Sequence, residues 1–169
     1  NIIYILLGVF LFAASTDSHA QTGGVVRDVV VKGVQRIDPD TVRSYMVIQP
    51  GDTFTRERLD RSLKSLFATG LFADVSINRQ DGNLIVNVVE NPIINQIAFE
   101  GNQKIDDDLL ESETTLKPRV IYTRTKVQND VKRILTLYRQ SGRFAATVEP
   151  KVIQLKENRV DLVFEIKEG

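Results

Sequence analysis

"VVVKGVQRID" (residues 29–38) is echoed by "IAFEGNQKID" (residues 97–106), 68 positions further along the chain. Each stretch carries an alternating apolar pair, Val29 and Val31 or Ile97 and Phe99, then a glycine, Gly33 or Gly101, then Gln, a basic residue, Ile and Asp. Self-similarity at a fixed period marks two copies of one structural unit. Divided between two units, the 169 residues leave each near the lower limit for building its own core.

Outward from that stretch, residues 25–33 alternate as a half-buried strand, with Val29 and Val31 inward and Asp28 and Lys32 outward. Gly33 and Gly101 read as strand ends, where freedom from Cβ restrictions is useful, rather than as ligand contacts. "IDPDTVRSYM" opens a helix, with Asp38 as N-cap, Pro39 in the first position and Asp40 at the positive end of the dipole. Ile37 and Val42 suit a hydrophobic staple across that cap.

"QPGD" breaks the chain, and Thr55 starts a second helix with Leu59, Leu63, Leu66 and Phe67 on one face. Arg58, Arg61 and Lys64 occupy the other. Gly70 in "TGLF" ends it. Residues 71–79 and 83–90 alternate again around "QDGN", a hairpin signal centred on Asp81 and Gly82. The unit reads β-α-α-β-β.

The second copy repeats the order. Ile105, Asp106 and Leu110 recreate cap and staple. Thr to Gly spans four more residues in the second copy (123 to 142) than in the first (55 to 70). Four residues are about one turn, so the insertion lengthens the helix while keeping Val127, Val131, Ile134, Leu135 and Tyr138 on one face. The last strand alternates Val160, Leu162, Phe164 and Ile166 inward with Asp161, Glu165 and Lys167 outward.

One apolar sheet face and two apolar helix stripes bury each other as an α+β, two-layer unit. Tracing strand directions makes the third strand the centre of a three-stranded mixed sheet, parallel to the first. Pro150 in the second strand of the second copy agrees, because proline lacks the ladder donor and belongs on an edge.

Residues 2–14 form an apolar run of 13, short for a membrane span of about 20 residues, and Ser18-His19-Ala20 gives a small-x-small cleavage pattern. An export signal at residues 1–20, cut after Ala20, is expected; it lacks a basic leader and an initiating Met, so the chain is expected to be shortened at its N-terminus. The chain without this segment has no Cys or His. Its only acidic loss is Asp17, which brings the zero net charge to about +1. That balance offers no strongly basic face for nucleic acid. No catalytic motif, cofactor motif or metal set is present, and acid–base chemistry would need strongly shifted carboxylates or lysines. Asp106, Asp107 and Asp108 read as cap and first-turn acids rather than a cation site. A KH-like RNA-binding reading of the helix pair fails for lack of a G-x-x-G loop.

The series "VKGVQRI", "PGDTFT", "LFATGLFADV", "VVENPIINQIAFEGNQKI" and "NRVDLVFEIKEG" resembles two tandem POTRA domains at the N-terminus of outer-membrane β-barrel assembly proteins. It covers about residues 25–169, giving domains 25–91 and 92–169. "KPRVIYT" departs by lacking the glycine of "QPGDTFT". The resemblance implies no catalysis and no cofactor. It implies an arm on the periplasmic side of the outer membrane, meeting the membrane only through a downstream barrel. More protein is expected after "EIKEG". Its expected partners are unfolded outer-membrane proteins, a periplasmic chaperone and accessory assembly lipoproteins. The arm of a TamA-like protein or a two-partner secretion transporter is the alternative.

For such an arm, open strand edges are the candidate sites, because an extended client adds to them through backbone hydrogen bonds whatever its sequence. The candidates are Phe72, Val75, Ser76, Ile77 and Asn78 in the first unit and Phe144, Ala146, Val148 and Val152 in the second, weighed evenly against edges kept unpaired by charges and proline, with Glu149, Pro150 and Lys151 as that protection. The face of Arg58, Arg61 and Lys64 is a candidate docking surface, weighed against an ordinary solvated helix face.

Overall fold

The computed structural model describes residues 23–169, so the expected export signal lies outside the described residues. Strands β1 (Gly23–Val25) and β2 (Val29–Lys32) are followed by helix α1 (Pro39–Tyr45), strand β3 (Thr53–Phe54), helix α2 (Arg56–Ala68) and the hairpin β4 (Phe72–Gln80) and β5 (Asn83–Glu90). Strand β6 (Ile93–Glu100), helices α3 (Asp107–Glu113) and α4 (Arg124–Gln140), and the hairpin β7 (Thr147–Leu155) and β8 (Arg159–Lys167) complete the second unit.

Each main sheet has three strands, in the order β2-β5-β4 and β6-β8-β7. The third strand is central in both, parallel to the first and antiparallel to the second. Two separate cores result: Val29, Val42, Leu66, Leu84 and Val86 lie in one, and Leu110, Ile134, Tyr138, Leu162 and Phe164 in the other.

The caps fall where the residues place them. Asp38 accepts from the Asp40 N–H, Asp106 from Leu109, Thr55 from Arg58 and Thr123 from Lys126. Helix α4 has 17 residues against 13 in α2, the extra turn expected from the insertion. Asp81 and Gly82 both take positive φ, the conformation that a two-residue hairpin loop requires. A Cβ on Gly33 would lie 2.1 Å from the Val88 carbonyl oxygen, and one on Gly101 2.1 Å from that of Ile166. Close backbone packing therefore fixes both glycines, together with their positive φ.

Three expectations are corrected. The first strand is interrupted: Val26 turns into the core, donating to Asp52 and accepting from Gly51, and β1 pairs instead with β3 in the loop between the helices. Phe67, expected on the buried face of α2, is 46% exposed while Leu66 is fully buried. Phe144 and Ala146 precede β7 instead of lying on it, and Phe144 is 78% exposed. The longer α4 carries the chain a turn further, and a second tight turn is spent returning to the sheet.

Candidate functional site

Strand β4 is nine residues long and, among the described residues, pairs only with β5. Phe72 and Val75 point into the core and Ile77 is half-buried, while Ser76 and Asn78 face solvent. The apolar face anchors the strand and its outer edge stays unpaired. The register slips between Phe72 and Asp74, leaving Ala73 without a partner in β5 at the start of the edge.

Strand β7 pairs only with β8 among the described residues, but it is guarded. Pro150 sits at its middle. Lys151 lies 3.2 Å from Glu149 and 3.8 Å from Glu165. The Glu149 carboxylate, then Glu165, raises the Lys151 pKa above the ordinary lysine value. A proline and a fixed charge cluster are common defences of an exposed edge. Val148 is half-buried against the core; Val152 and Ile153 are exposed. The two edges thus differ: β4 carries none of these guards.

On α2, Arg58 pairs with Asp52 at 3.4 Å and Arg61 with Glu57 one turn earlier, while Lys64 is exposed. Two of the three docking candidates are therefore already occupied within the chain. Asp106 caps α3 and Asp107 accepts from the Asn102 side chain at 2.7 Å, so this acidic run serves the helix start.

The POTRA family model, described as surface antigen variable number repeat, matches residues 24–91 and 92–169. The chain belongs to the POTRA family. It is 31% identical over 147 residues to the outer membrane protein assembly factor BamA of Neisseria meningitidis serogroup B, covering 85% of this chain and 18% of that protein. It is 27% identical over 176 residues to BamA of Nitratidesulfovibrio vulgaris, covering 100% of this chain and 22% of that protein. The chain thus spans about a fifth of the length of these relatives. The solved N-terminal domain of Omp85 from Thermosynechococcus elongatus superposes with a TM-score of 0.61 at 23% identity, over 86% of this chain and 63% of that one. POTRA1-2 of Omp85 from Anabaena gives 0.56 at 21%, over 86% and 95%. These structures share the fold.

Several residues that organise the POTRA units escaped the sequence reading. Ser62, buried on α2, accepts from the Val47 and Ile48 N–H groups, tying down the loop between the helices. Its counterpart 68 residues later, Asp130, accepts from the Thr115 and Leu116 N–H groups and the Thr115 hydroxyl, each at 2.9 Å. The available signal was a polar residue at the same position on both apolar helix faces.

The junction between the units is built from a second such set. Glu90 accepts from the N–H groups of Gln35, Arg36 and Ile37. Burial pushes its carboxyl pKa up, but those three donors and the Arg36 guanidinium outweigh burial and hold it below its ordinary value. Arg36 then donates to the carbonyls of Asn91 and Asn158 at 3.1 and 3.2 Å, and the Asn158 side chain donates to the Glu90 carbonyl at 3.1 Å. Asn91 is held from the other side by Leu71 and Gly70. Glu168 repeats the role of Glu90, accepting from Gln103 and Lys104 and also from the buried Tyr138 hydroxyl. The matched acids ending "VVEN" and "IKEG" were the sequence signal.

Proposed function

We propose that the chain forms a periplasmic arm of an outer-membrane protein assembly machine, with residues 25–91 and 92–169 as its two POTRA domains behind an export signal cut after Ala20. The arm receives unfolded β-barrel proteins and docks a periplasmic chaperone or accessory lipoproteins. It catalyses no reaction. The similarity of the chain to BamA assembly factors supports the setting.

The observation that carries the mechanism is β4, nine residues without proline and, among the described residues, paired on one side only. A client segment adding to this edge gains backbone hydrogen bonds worth roughly 0.5–1.5 kcal/mol each, indifferent to side chains. A few such bonds give weak capture and ready release, as a receiver of many different chains requires.

Titrating the 15N-labelled protein with peptides from outer-membrane barrel strands tests this reading. Amide shifts along residues 72–80, with smaller ones along the guarded β7, are expected. Shifts confined to the helix around Arg58, Arg61 and Lys64, with both edges silent, would replace strand addition by docking on the helix face.

A further inference from the structure

Phe67 is the apolar side chain of α2 that the core does not use. Its counterpart in the second unit, Leu135, packs against its own core. Phe67 instead lines a groove of about 670 Å³ between the units, within the ~300–1,000 Å³ span common for binding clefts. One wall is formed by Phe67, Ala68, Phe72 and Ala73 of the first unit, the other by Tyr122 and the opening of α4. Asn91 lies in the groove and, through its bonds to Gly70 and Leu71, fixes one wall to the linker. The other wall is attached by the Tyr122 N–H donating to Pro92 at 2.9 Å. The cleft is therefore assembled before any partner arrives.

Its charge is one-sided. Arg124 and Lys126 line it, no acidic residue does, and neither cation has an ion-pair partner among the described residues. Arg58 and Arg61 on α2, by contrast, are paired. An exposed aromatic on one wall and two unpaired cations on the other fit an occupant with the complementary pair of features.

We propose that the groove between the units binds a partner polypeptide segment presenting an aromatic side chain flanked by carboxylates. The aromatic ring packs on Phe67 and Tyr122, and the carboxylates meet Arg124 and Lys126. The proposal rests on the chain being a protein-binding arm, but not on strand addition, since it uses side chains of both units rather than the backbone of β4.

The test is a binding measurement on the protein with an acetylated, amidated heptapeptide carrying a central Phe between Glu residues. Analogues with Lys for Glu, or Ala for Phe, serve as comparisons. The acidic aromatic peptide should bind at least about tenfold more tightly than either analogue, and less tightly as salt rises. Reversing Arg124 and Lys126 together to Glu should weaken it about tenfold, and Phe67→Ala about fivefold. Both cations are exposed and acids at a helix start are favourable, so the reversed variant should keep its thermal unfolding midpoint. Amide shifts should appear at Ala68 and residues 123–126 while Ser76, Asn78 and Arg79 stay silent. Equal affinity for the Lys peptide, no loss in the reversed variant, shifts at the β4 edge alone, or no binding would each overturn the proposal.

Discussion

Arg119 holds a backbone conformation that its side chain does not favour. It stands 68 residues after Gly51, and both take positive φ, 71° and 93°, in the loop between their helices. The departure of "KPRVIYT" from "QPGDTFT" therefore changes the residue while keeping the turn. The Arg119 N–H donates to Ile94 at 2.8 Å, and the loop closes onto β6 despite the cost. A left-handed conformation costs a residue with a Cβ about 1–2 kcal/mol, partly offset in glycine by its greater unfolded-state freedom. Arg119→Gly should therefore stabilise the second unit by about 0.5–1 kcal/mol, seen as a higher midpoint in urea unfolding. An unchanged or lower midpoint would mean that the arginine side chain contributes contacts worth more than the strain. Phe67 and Phe144 show the limit of reading at this scale, since an apolar letter at a helical or strand spacing does not reveal whether a neighbour covers it.

Among the elements, the two connections between helices solve one problem with different chemistry. Each carries two backbone N–H groups that no helix or sheet satisfies, one on a buried residue (Ile48, Leu116) and one on an exposed residue (Val47, Thr115), and each borrows an acceptor from the following helix: Ser62 in the first unit, Asp130 in the second. Removing such an acceptor leaves the buried donor unpaired, at about 1–3 kcal/mol. Asp130→Ala, which orphans the buried Leu116 N–H and leaves the exposed Thr115 N–H to water, should destabilise the second unit by about 1–3 kcal/mol. Hydrogen exchange resolved by unit should show faster exchange along α3, α4 and β8, with β2, β4 and β5 close to unchanged. A uniform loss across both units would show instead that they unfold as one body. The helix starts, the hairpin at Asp81-Gly82 and the central third strand were legible because each depends on residues close in sequence or on strict alternation. These acceptors were not, because their partners lie 14 or 15 residues away and the need for them exists only once the loop is buried.

Across the whole molecule, the linker is two residues, Asn91 and Pro92, and what ties the units is the set of bonds through Glu90, Arg36 and Asn158. The Glu90 carboxyl is held below its ordinary 4.5, so the folded state favours its charged form. Its contribution is then present above the unfolded-state value and is lost as pH falls through the lower folded-state value. Acidification from about pH 5 to pH 3 should destabilise the first unit and loosen the junction together, since the same residue holds both. Glu90→Gln should cost on the order of 1–3 kcal/mol at neutral pH while flattening the acid dependence in that window. Unfolding midpoints across that pH range, with a distance probe between the units, check both parts. Equal acid slopes in the two proteins would assign the acid sensitivity to other carboxylates.

By itself the sequence determined the local decisions and their duplication: the caps at Asp38 and Asp106, the helix start at Thr55 and its repeat at Thr123, the staples, the extra turn of α4, and two β-α-α-β-β units. These are set by short-range hydrogen bonds and by periodic burial, which a chain writes in consecutive letters. The guard on β7 was legible in the consecutive Glu149, Pro150 and Lys151, whereas tertiary structure alone decided the interruption at Val26 and the burial of Leu66 beside an exposed Phe67. It also decided the junction at Arg36 and the groove lined by Phe67, Tyr122, Arg124 and Lys126. Each of these depends on which surfaces from distant parts of the chain come to face one another, and periodicity within one segment carries no record of its neighbours.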